Sequence, residues 1–223
     1  YGKYPKVLTQ LELEEKIVKG EPDLINCDNL VMIQCVGCRD KERPYCGRIC
    51  CNEAINNALK LKEAKPDMNI YVFYRDMRTY GFYEDYYHEA RRKGIMFLCY
   101  DLENKPTVSQ VKKDSRYLIR VEGKDPILGE DIAIEADALA LSVPMVPTEK
   151  AKEIATFYKV PLNEDGFFLE AHVKLRPVDF ATDGVFICGL AHAPKSIEEI
   201  IAQASAAASR ATTVLSRETI MAE

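Results

Sequence analysis

The sequence has no long hydrophobic run. Its longest apolar stretches, Ala136–Val143 and Gly184–Leu190, are far shorter than the ~20 consecutive apolar residues that a membrane-spanning helix requires. The first residues do not have the charged, apolar and small-residue succession of a signal peptide. We therefore predict a cytoplasmic chain without membrane insertion.

The sequence also lacks an excess of basic residues. It has 30 Lys and Arg residues against 35 Asp and Glu residues, and the basic ones are scattered along the chain. Because nucleic acid is held mainly through clustered positive charge, we predict no nucleic-acid partner. A nucleophile elbow, a catalytic Ser, His and Asp order and a phosphate-binding loop are absent as well, which leaves a hydrolase without support.

Cysteine, in contrast, is abundant and unevenly spaced. Disulfide frameworks belong to short secreted chains with poor cores, whereas this chain has 223 residues, 47% of them hydrophobic. Thiols packed closely in sequence are typical of metal or cluster ligands in a reducing compartment. Five of the eight cysteines are packed in this way: Cys35, Cys38, Cys46, Cys50 and Cys51.

The other three cysteines, Cys27, Cys99 and Cys188, stand alone in the sequence. Cys99 and Cys188 fall within apolar, strand-like runs. A buried free thiol behaves as a small hydrophobic group, and we expect that role for them.

Helical and strand-like apolar patterns alternate through the first two thirds of the chain. A capping box at Thr9 and Glu12 predicts a first helix ending at Gly20. Alternation of this kind predicts an α/β fold with a parallel sheet and right-handed crossovers. The predicted strands are Asn29–Gln34, Asn69–Tyr74, Ile95–Tyr100 and Ala136–Val143, and the predicted helices between them are Cys50–Glu63 and Tyr83–Lys93.

Two further regions depart from this alternation. Thr107–Val111, Ser115–Glu122 and Asp131–Glu135, with turn residues between them, predict a small antiparallel meander. Near the C-terminus the pattern predicts a helix over Lys150–Tyr158, a strand over Gly184–Gly189 and a helix from Ser196 to about Arg217. The alanines of this last helix permit close packing against a sheet or an approach to a ligand, and we expect packing.

The clustered cysteines fall between a predicted buried strand and a predicted helix. A strand, loop and helix in this order present a phosphate in nucleotide-binding units, but the glycine fingerprint of those units is missing here. Thiolates are anions too, so the helix N-terminus and Arg39, Arg43 and Arg48 should stabilise them and lower their pKa values. A four-iron, four-sulfur (4Fe-4S) cluster, a zinc ion, and inert or redox-active thiols all remain open. The adjacency of Cys50 and Cys51 favours a cluster, because two ligands can then bind different irons.

Several long motifs resemble the A subunit of heterodisulfide reductase. The resemblance covers nearly the whole chain and lies in VMIQCVGCRD (31–40), PYCGRICC (44–51), YRDMRTYGFYE (74–84), DGFFLEAH (165–172) and TDGVFICGLAHAPK (182–195). It implies a Rossmann-like FAD/NAD(P)-binding three-layer fold of the thioredoxin-reductase kind, with a parallel sheet and a small antiparallel meander. It also implies an oxidoreductase subunit, or part of one, that takes part in methanogenesis.

The resemblance further implies where the cofactors bind. The 4Fe-4S ligands would be Cys35, Cys46, Cys50 and Cys51, with Cys38 as a possible alternative. FAD would contact the segment that comprises Gly189, Leu190, Ala191, His192, Lys195, Ser196 and Ile197. Residues 1–28 would be a connecting segment, 29–147 an altered nucleotide-binding-like lobe that carries the cysteines, and 148–223 the C-terminal part of the FAD-binding lobe.

The partners implied are other heterodisulfide reductase subunits, hydrogenase or formate dehydrogenase modules, and ferredoxin, in an oligomer. The chain would pass electrons between FAD and the cluster.

Three departures from the family pattern change these expectations. The FAD fingerprint G-x-G-x-x-G is missing, so this chain alone should bind FAD weakly or not at all. Pro144 stands where glycine is expected and stiffens the chain. Asn56 stands where a lysine is associated with flavin tuning, which puts electron bifurcation in doubt. Two alternatives remain open, namely a non-catalytic scaffold with a structural zinc or cluster, and a pyridine-nucleotide disulfide reductase that uses Cys50 and Cys51 as redox thiols.

Overall fold

A computed structural model describes residues 1–126 and 129–219 of the chain. The chain divides into two compact units, Tyr1–Pro144 and the part from Met145 onward. The elements of the first unit are, in chain order, β1 (Val7–Thr9), α1 (Gln10–Lys19), α2 (Pro22–Ile25), β2 (Asn29–Ile33), α3 (Cys50–Ala64), β3 (Asn69–Tyr74), α4 (Tyr83–Arg92), β4 (Met96–Cys99), β5 (Thr107–Lys113), β6 (Arg116–Lys124), β7 (Asp131–Ala136) and β8 (Ala138–Leu141).

The first unit contains a five-stranded parallel sheet in the order β1-β8-β2-β3-β4. After β2 the chain adds β3 and β4 on one side, and it returns on the other side as β8, with Met32 opposite Ala140. The strand order therefore reverses between β2 and β8, which is the point where doubly wound folds bind their ligands. The predicted α/β fold with a parallel sheet is confirmed.

Three layers form because each face of this sheet is apolar. Successive side chains of β2 point to opposite faces, so Leu30 and Met32 pack with the helices while Val31 and Ile33 pack on the other side. The second face is covered by the antiparallel sheet β5-β6-β7, which contributes Ile119 and further buried residues. The meander predicted from the sequence is this third layer.

The N-terminal segment is built into the same unit. β1 pairs with β8 in parallel, although residues 1–28 were expected only to connect. The predicted capping box is present, since Thr9 Oγ1 accepts from the Glu12 N–H while Glu12 Oε2 accepts from the Thr9 N–H. Gly20 ends α1 with φ of 64°, a left-handed conformation that glycine adopts without steric penalty.

The second unit contains α5 (Ala151–Tyr158), a single 3₁₀ turn over Gly189–Ala191 and α6 (Ile197–Leu215). The strand predicted over Gly184–Gly189 is wrong. Its one ladder contact in the described residues is an isolated antiparallel bridge between Phe186 and Asp179. The run exchanges two backbone hydrogen bonds with the segment around Asp179, from Phe180 N to Val185 O and from Ile187 N to Val178 O, and these form a single bridge rather than a continuing ladder.

The alanine-rich helix α6 was expected to pack against a sheet, and this prediction is also wrong. Most of its described side chains are exposed, and Ala207 is its one buried residue. Among the described residues, no helix combines the length and the apolar character needed to cross a membrane.

Candidate metal centre

The clustered cysteines lie at the carboxyl edge of the parallel sheet, in the loop between β2 and α3 together with the first turn of α3. We call residues 34–51 the cysteine loop. Its backbone is fixed to both neighbours of β2, because Gln34 N donates to Phe73 O at 2.9 Å and Val36 N donates to Ser142 O at 3.0 Å. The loop therefore begins at the strand-order reversal between β2 and β8.

The cysteine loop holds three non-glycine residues in left-handed backbone conformations. Cys35, Arg39 and Arg48 have φ values of 60°, 56° and 60°. Each such residue costs roughly 1–3 kcal/mol, so surrounding contacts must hold it in place. Arg39 has such contacts, since its N–H donates to Tyr45 O at 3.2 Å and its carbonyl accepts from Arg75 Nη1 at 2.7 Å.

The structure brings the predicted ligand cysteines to one end of α3. Cys50 and Cys51 are its first two residues, and both are 5% exposed. Cys35 and Cys46 are half-buried in the loop that leads to them. The Arg48 N–H donates to Cys46 Sγ at 3.3 Å, and Cys51 Sγ donates to Asp76 O at 3.9 Å. Cys38, the possible alternative, is buried.

Of the three arginines expected beside the thiols, Arg39 makes a side-chain contact with one. Arg39 Nη1 donates to Cys35 Sγ at 3.8 Å, and its other terminal nitrogen pairs with Asp76. The Arg48 guanidinium donates to the Tyr80 hydroxyl at 2.9 Å. Arg43 is exposed, and its carbonyl accepts from the Asp40 N–H.

The thiols differ in their pKa values. A hydrogen bond from Cys38, assisted by Arg39, lowers the pKa of Cys35, and the same hydrogen bond raises the pKa of Cys38. Burial raises the pKa of Cys50 to about 12 and that of Cys51 to about 11. The expectation that the helix N-terminus lowers these pKa values is therefore wrong for Cys50 and Cys51, because the cost of burying a charge exceeds the dipole's contribution.

In the described part of the chain, no group of three or more His, Cys, Asp or Glu side chains has an arrangement that could hold a metal ion. A single tetrahedral zinc with Zn–S bonds near 2.3 Å would place its sulfurs about 3.8 Å apart. A cubane holds its four thiolates further apart, because each binds a different iron at a separate corner. The four-cysteine ligand set thus remains a prediction.

Two buried polar residues at this edge were not predicted from the sequence. Gln34 is fully buried and Ser142 is 1% exposed. Within the described residues, Gln34 Nε2, Gln34 Oε1 and Ser142 Oγ have no hydrogen-bond partner. The sequence gives no signal of this, since the lack of a partner arises only when β2 and β8 come together.

The segment expected to contact FAD lies in the second unit. Gly189 begins the 3₁₀ turn with φ of 71°, which suits glycine, and Leu190 and Ala191 complete the turn. Ser196 caps α6 in a capping box with Glu199. Ile197 is 73% exposed, and Lys195 lies between the turn and the helix.

A chain of hydrogen bonds fixes the 3₁₀ turn to α6. The Gly189 N–H donates to Gln203 Oε1 at 2.8 Å, so this donor is already in use. Gln203 Nε2 lies 2.6 Å from His192 Nδ1, and His192 Nε2 lies 2.7 Å from Glu170 Oε2. These contacts assign the His192 proton to Nε2, and they make His192 a residue that positions the turn.

Cys188 is exposed, contrary to the expectation that it is a buried apolar residue. It lines an apolar cavity of about 330 Å³ in the second unit, together with Tyr158, Phe168, Phe186 and other residues. The run that contains it does not form a strand, so alternation does not turn its side chain inward. Cys99 is half-buried and Cys27 is buried.

The folded units resemble solved thioredoxin reductases. The Lactococcus lactis enzyme matches 96% of this chain and 63% of its own chain, with a TM-score of 0.57 and 14% identity. The T. acidophilum enzyme matches 85% of this chain and 53% of its own, with a TM-score of 0.55 and 17% identity. The chain therefore has the Rossmann-like, three-layer α/β fold of the thioredoxin-reductase class.

Sequence relatives define the family more narrowly, although no protein-family model matches the chain. All of the chain aligns at 38% identity with the "A 2" iron-sulfur subunit of the CoB–CoM heterodisulfide reductase of Methanopyrus kandleri, of which it covers 35%. A second relative is the A subunit of the H(2):CoB-CoM heterodisulfide,ferredoxin reductase of Methanothermobacter marburgensis. It is 36% identical over 95% of this chain and 33% of its own length.

The chain is thus homologous to part of the A subunit of heterodisulfide reductase, and the resemblance predicted from the sequence motifs is confirmed. It spans about a third of the length of these relatives.

Proposed function

We propose that this chain is the electron-transfer portion of a heterodisulfide-reductase-like subunit, in which Cys35, Cys46, Cys50 and Cys51 hold a 4Fe-4S cluster. The observation that carries the proposal is the position of these thiols at the strand-order reversal, where β2 leads into α3. Burial is the main cause of the raised pKa values of Cys50 and Cys51, and the charges of Cys35 and Cys46 add to it, so the four thiols lie within electrostatic range of one another.

The donor set suits an iron–sulfur cluster. Cys50 and Cys51 are buried with raised pKa values, so they ionise readily only when a cation compensates their charge. Iron supplies that charge, and thiolate is the ligand that iron–sulfur clusters use. When bound, such a cluster accepts and donates single electrons.

Other residues of the loop prepare the site for an anionic group. Arg39 faces the Cys35 sulfur and is itself held by Asp76, while the Arg48 N–H points at the Cys46 sulfur. The hydrogen bond from Arg39 favours the thiolate form of Cys35. Burial of Cys50 and Cys51 by the sheet and α3 keeps water from the side of the site that faces the core.

We place part of a FAD site on the segment from Gly189 to Ile197. The 3₁₀ turn, held by Gln203 and His192, offers a rigid backbone, and the N-terminus of α6 offers positive potential toward a reduced flavin. Without a G-x-G-x-x-G motif in the chain, we expect micromolar FAD to give no saturable flavin-fluorescence quenching with this chain alone. Tight stoichiometric binding of FAD would contradict the proposal that this chain carries only part of the FAD site.

The proposed partners follow from the names of the relatives. Those names include H(2), ferredoxin and, in Methanococcus maripaludis, formate. We therefore propose that the chain works in a cytoplasmic oligomer with other heterodisulfide reductase subunits, hydrogenase or formate dehydrogenase modules and ferredoxin. Asn56, which is exposed on α3, stands where a lysine associated with flavin tuning is expected, and we therefore do not propose electron bifurcation for this chain.

Metal analysis of anaerobically purified chain tests the proposal. We expect about four iron and four acid-labile sulfide per chain after reconstitution with ferrous iron and sulfide, with broad absorbance near 400 nm. A colourless protein with one tightly bound zinc and no sulfide would contradict the cluster and support the scaffold alternative. Steady oxidation of NAD(P)H by the chain, with iron absent, would support a pyridine-nucleotide disulfide reductase instead.

A further inference from the structure

Two unpartnered polar side chains lie side by side beneath the cysteine loop. Ile33 of β2 is in register with Leu141 of β8, so the next residues of the two strands, Gln34 and Ser142, are neighbours. The backbone confirms their proximity, because Ser142 N donates to Ile33 O at 2.9 Å and Ser142 O accepts from the Val36 N–H.

Alternation along both strands places these side chains on the same face of the sheet. Leu30 and Met32 of β2, and Ala138 and Ala140 of β8, all pack into the core cluster that contains α3. Gln34 and Ser142 continue those two rows by one step, because side chains two residues apart share a face. They therefore face the layer in which α3 begins with Cys50 and Cys51.

The Cys50 sulfur lies near the backbone segment that follows Ser142. A Cβ added to Gly47 would stand 2.9 Å from Cys50 Sγ and 3.2 Å from Pro144 Cα. Gly47 is thus packed between the thiol and the backbone two residues beyond Ser142. Gln34, for its part, directly precedes Cys35, and the Tyr100 hydroxyl fixes its carbonyl with a hydrogen bond of 2.6 Å.

Buried polar groups without partners are costly. Each unsatisfied donor or acceptor of this kind costs about 1–3 kcal/mol, and native proteins keep few of them. Three such atoms sit together here, on two adjacent residues at the ligand-binding edge of the sheet. Their concentration at this place indicates a partner that is not part of the polypeptide.

We infer that Gln34 Nε2 and Ser142 Oγ donate hydrogen bonds to sulfur atoms of the cluster or of its cysteine ligands. This inference rests on the proposed function, because it assigns roles to two further residues of the same site. The amide nitrogen of Gln34 and the hydroxyl of Ser142 are both neutral donors, and anionic sulfur is an acceptor for such donors. Gln34 and Ser142 are accordingly positioning residues that tune the site without binding iron.

The inference predicts the direction of a change in reduction potential. Reduction adds negative charge to the cluster, and hydrogen bonds to its sulfurs stabilise that charge. Removing either donor should therefore shift the midpoint potential to a more negative value, and removing both should shift it further. A residue that only fills space would leave the potential unchanged when it is replaced by an apolar group of similar size.

The experiment is a dithionite titration of the reconstituted chain, followed by electron paramagnetic resonance. Gln34→Met and Ser142→Ala each remove a donor with little change in volume, and Ser142→Thr keeps the hydroxyl. Matched controls are Gln110→Met and Ser109→Ala on β5 of the antiparallel sheet. Iron and sulfide are counted in every variant, and a thermal unfolding curve verifies that each variant folds.

We expect full iron content in all variants, a more negative midpoint potential in Gln34→Met and Ser142→Ala, and the wild-type value in Ser142→Thr and both controls. Unchanged potentials in the two donor variants at full iron content would overturn the inference. If Gln34→Met loses iron, the midpoint potentials of Ser142→Ala and Ser142→Thr test the inference instead. A more negative value in Ser142→Ala supports it, and equal values overturn it. A wild-type chain that assembles no cluster would overturn the proposed function itself, and the inference with it.

Discussion

Of the two glycines in the cysteine loop, Gly47 has no room for a side chain, whereas Gly37 has open space around it. A Cβ at this position would stand 2.9 Å from Cys50 Sγ and 3.2 Å from the Pro144 backbone. Gly47→Ala should therefore displace the Cys50 thiol and lower the free energy of unfolding by about 1–3 kcal/mol. Iron bound per chain should fall in parallel, as measured by colorimetric iron assay after reconstitution.

Gly123 on β6 provides a matched control for this substitution. A Cβ there would stand 2.8 Å from Cε1 of Phe73, so it is crowded to the same degree, but the crowded atoms belong to the core behind the sheet. Gly123→Ala should lose comparable stability and keep its iron. Equal iron retention in Gly47→Ala and Gly123→Ala would show that the position of the Cys50 thiol does not matter for the metal centre.

At the residue scale, the sequence identifies the candidate ligand cysteines but does not predict the environment of each side chain. The cysteine spacing by itself indicates a soft-ligand site. It does not reveal that burial raises the pKa values of Cys50 and Cys51, nor that Cys188 is exposed. Gln34 and Ser142 carry no local signal at all, because the absence of a hydrogen-bond partner depends on every element around them.

The helix α6 is held mainly by polar contacts. Because Ala207 is its one buried residue among those described, apolar packing contributes little. Arg210 donates from Nε to Asp179 Oδ1 at 3.0 Å, and the Asp179 side chain is 4% exposed. Arg210→Met should lower the free energy of unfolding of the second unit by about 1–3 kcal/mol, since it removes the nearer cation from a buried carboxylate. Chemical denaturation followed by circular dichroism measures this change.

Arg217, two residues beyond the end of α6, serves as the control for the same chemical change. It is exposed, and no ion pair of its side chain is seen in the described residues. Arg217→Met should leave the denaturation midpoint within experimental error of the wild type. If the two arginine variants were equally stable, the Asp179 contact would not be what holds α6.

Helix boundaries follow the sequence closely in both units, whereas the strand predicted in the second unit is not found among the described residues. The helix predicted over Cys50–Glu63 is observed as Cys50–Ala64, because its apolar face repeats at helical spacing and packs on the sheet. β1 was missed, since three residues are too few for a periodic pattern. Gly184–Gly189 shows the opposite error, in which an apolar run has the composition of a strand but lacks neighbouring strands.

On the scale of the whole molecule, all residues of the proposed metal centre belong to one unit. Residues 1–144 contain the complete parallel sheet, both layers that cover it and all four proposed ligands. We expect this segment, made as a separate polypeptide, to fold and to bind the same amounts of iron and sulfide per chain as the 223-residue chain. Residues 145–223 alone should bind neither.

Size-exclusion chromatography tests whether each of the two polypeptides is compact, and metal analysis measures the iron and sulfide that each one binds. A folded 1–144 polypeptide without iron, beside a full-length chain that binds it, would show that the second unit supplies a ligand. Cys188 would then be the residue to test by substitution, because it is the one cysteine of the second unit and it is exposed.

The most direct measurement concerns the ligand set itself. Each of Cys35, Cys46, Cys50 and Cys51 is replaced by serine, with Cys38→Ser and Cys27→Ser as controls, and iron, sulfide and absorbance near 400 nm are measured after identical reconstitution. Loss of a ligand from a four-thiolate site should remove most of the cluster in each of the first four variants, while both controls keep it. Retention of the full cluster when Cys50 or Cys51 is replaced would contradict the account, and loss in Cys38→Ser with retention in Cys35→Ser would reassign the fourth ligand.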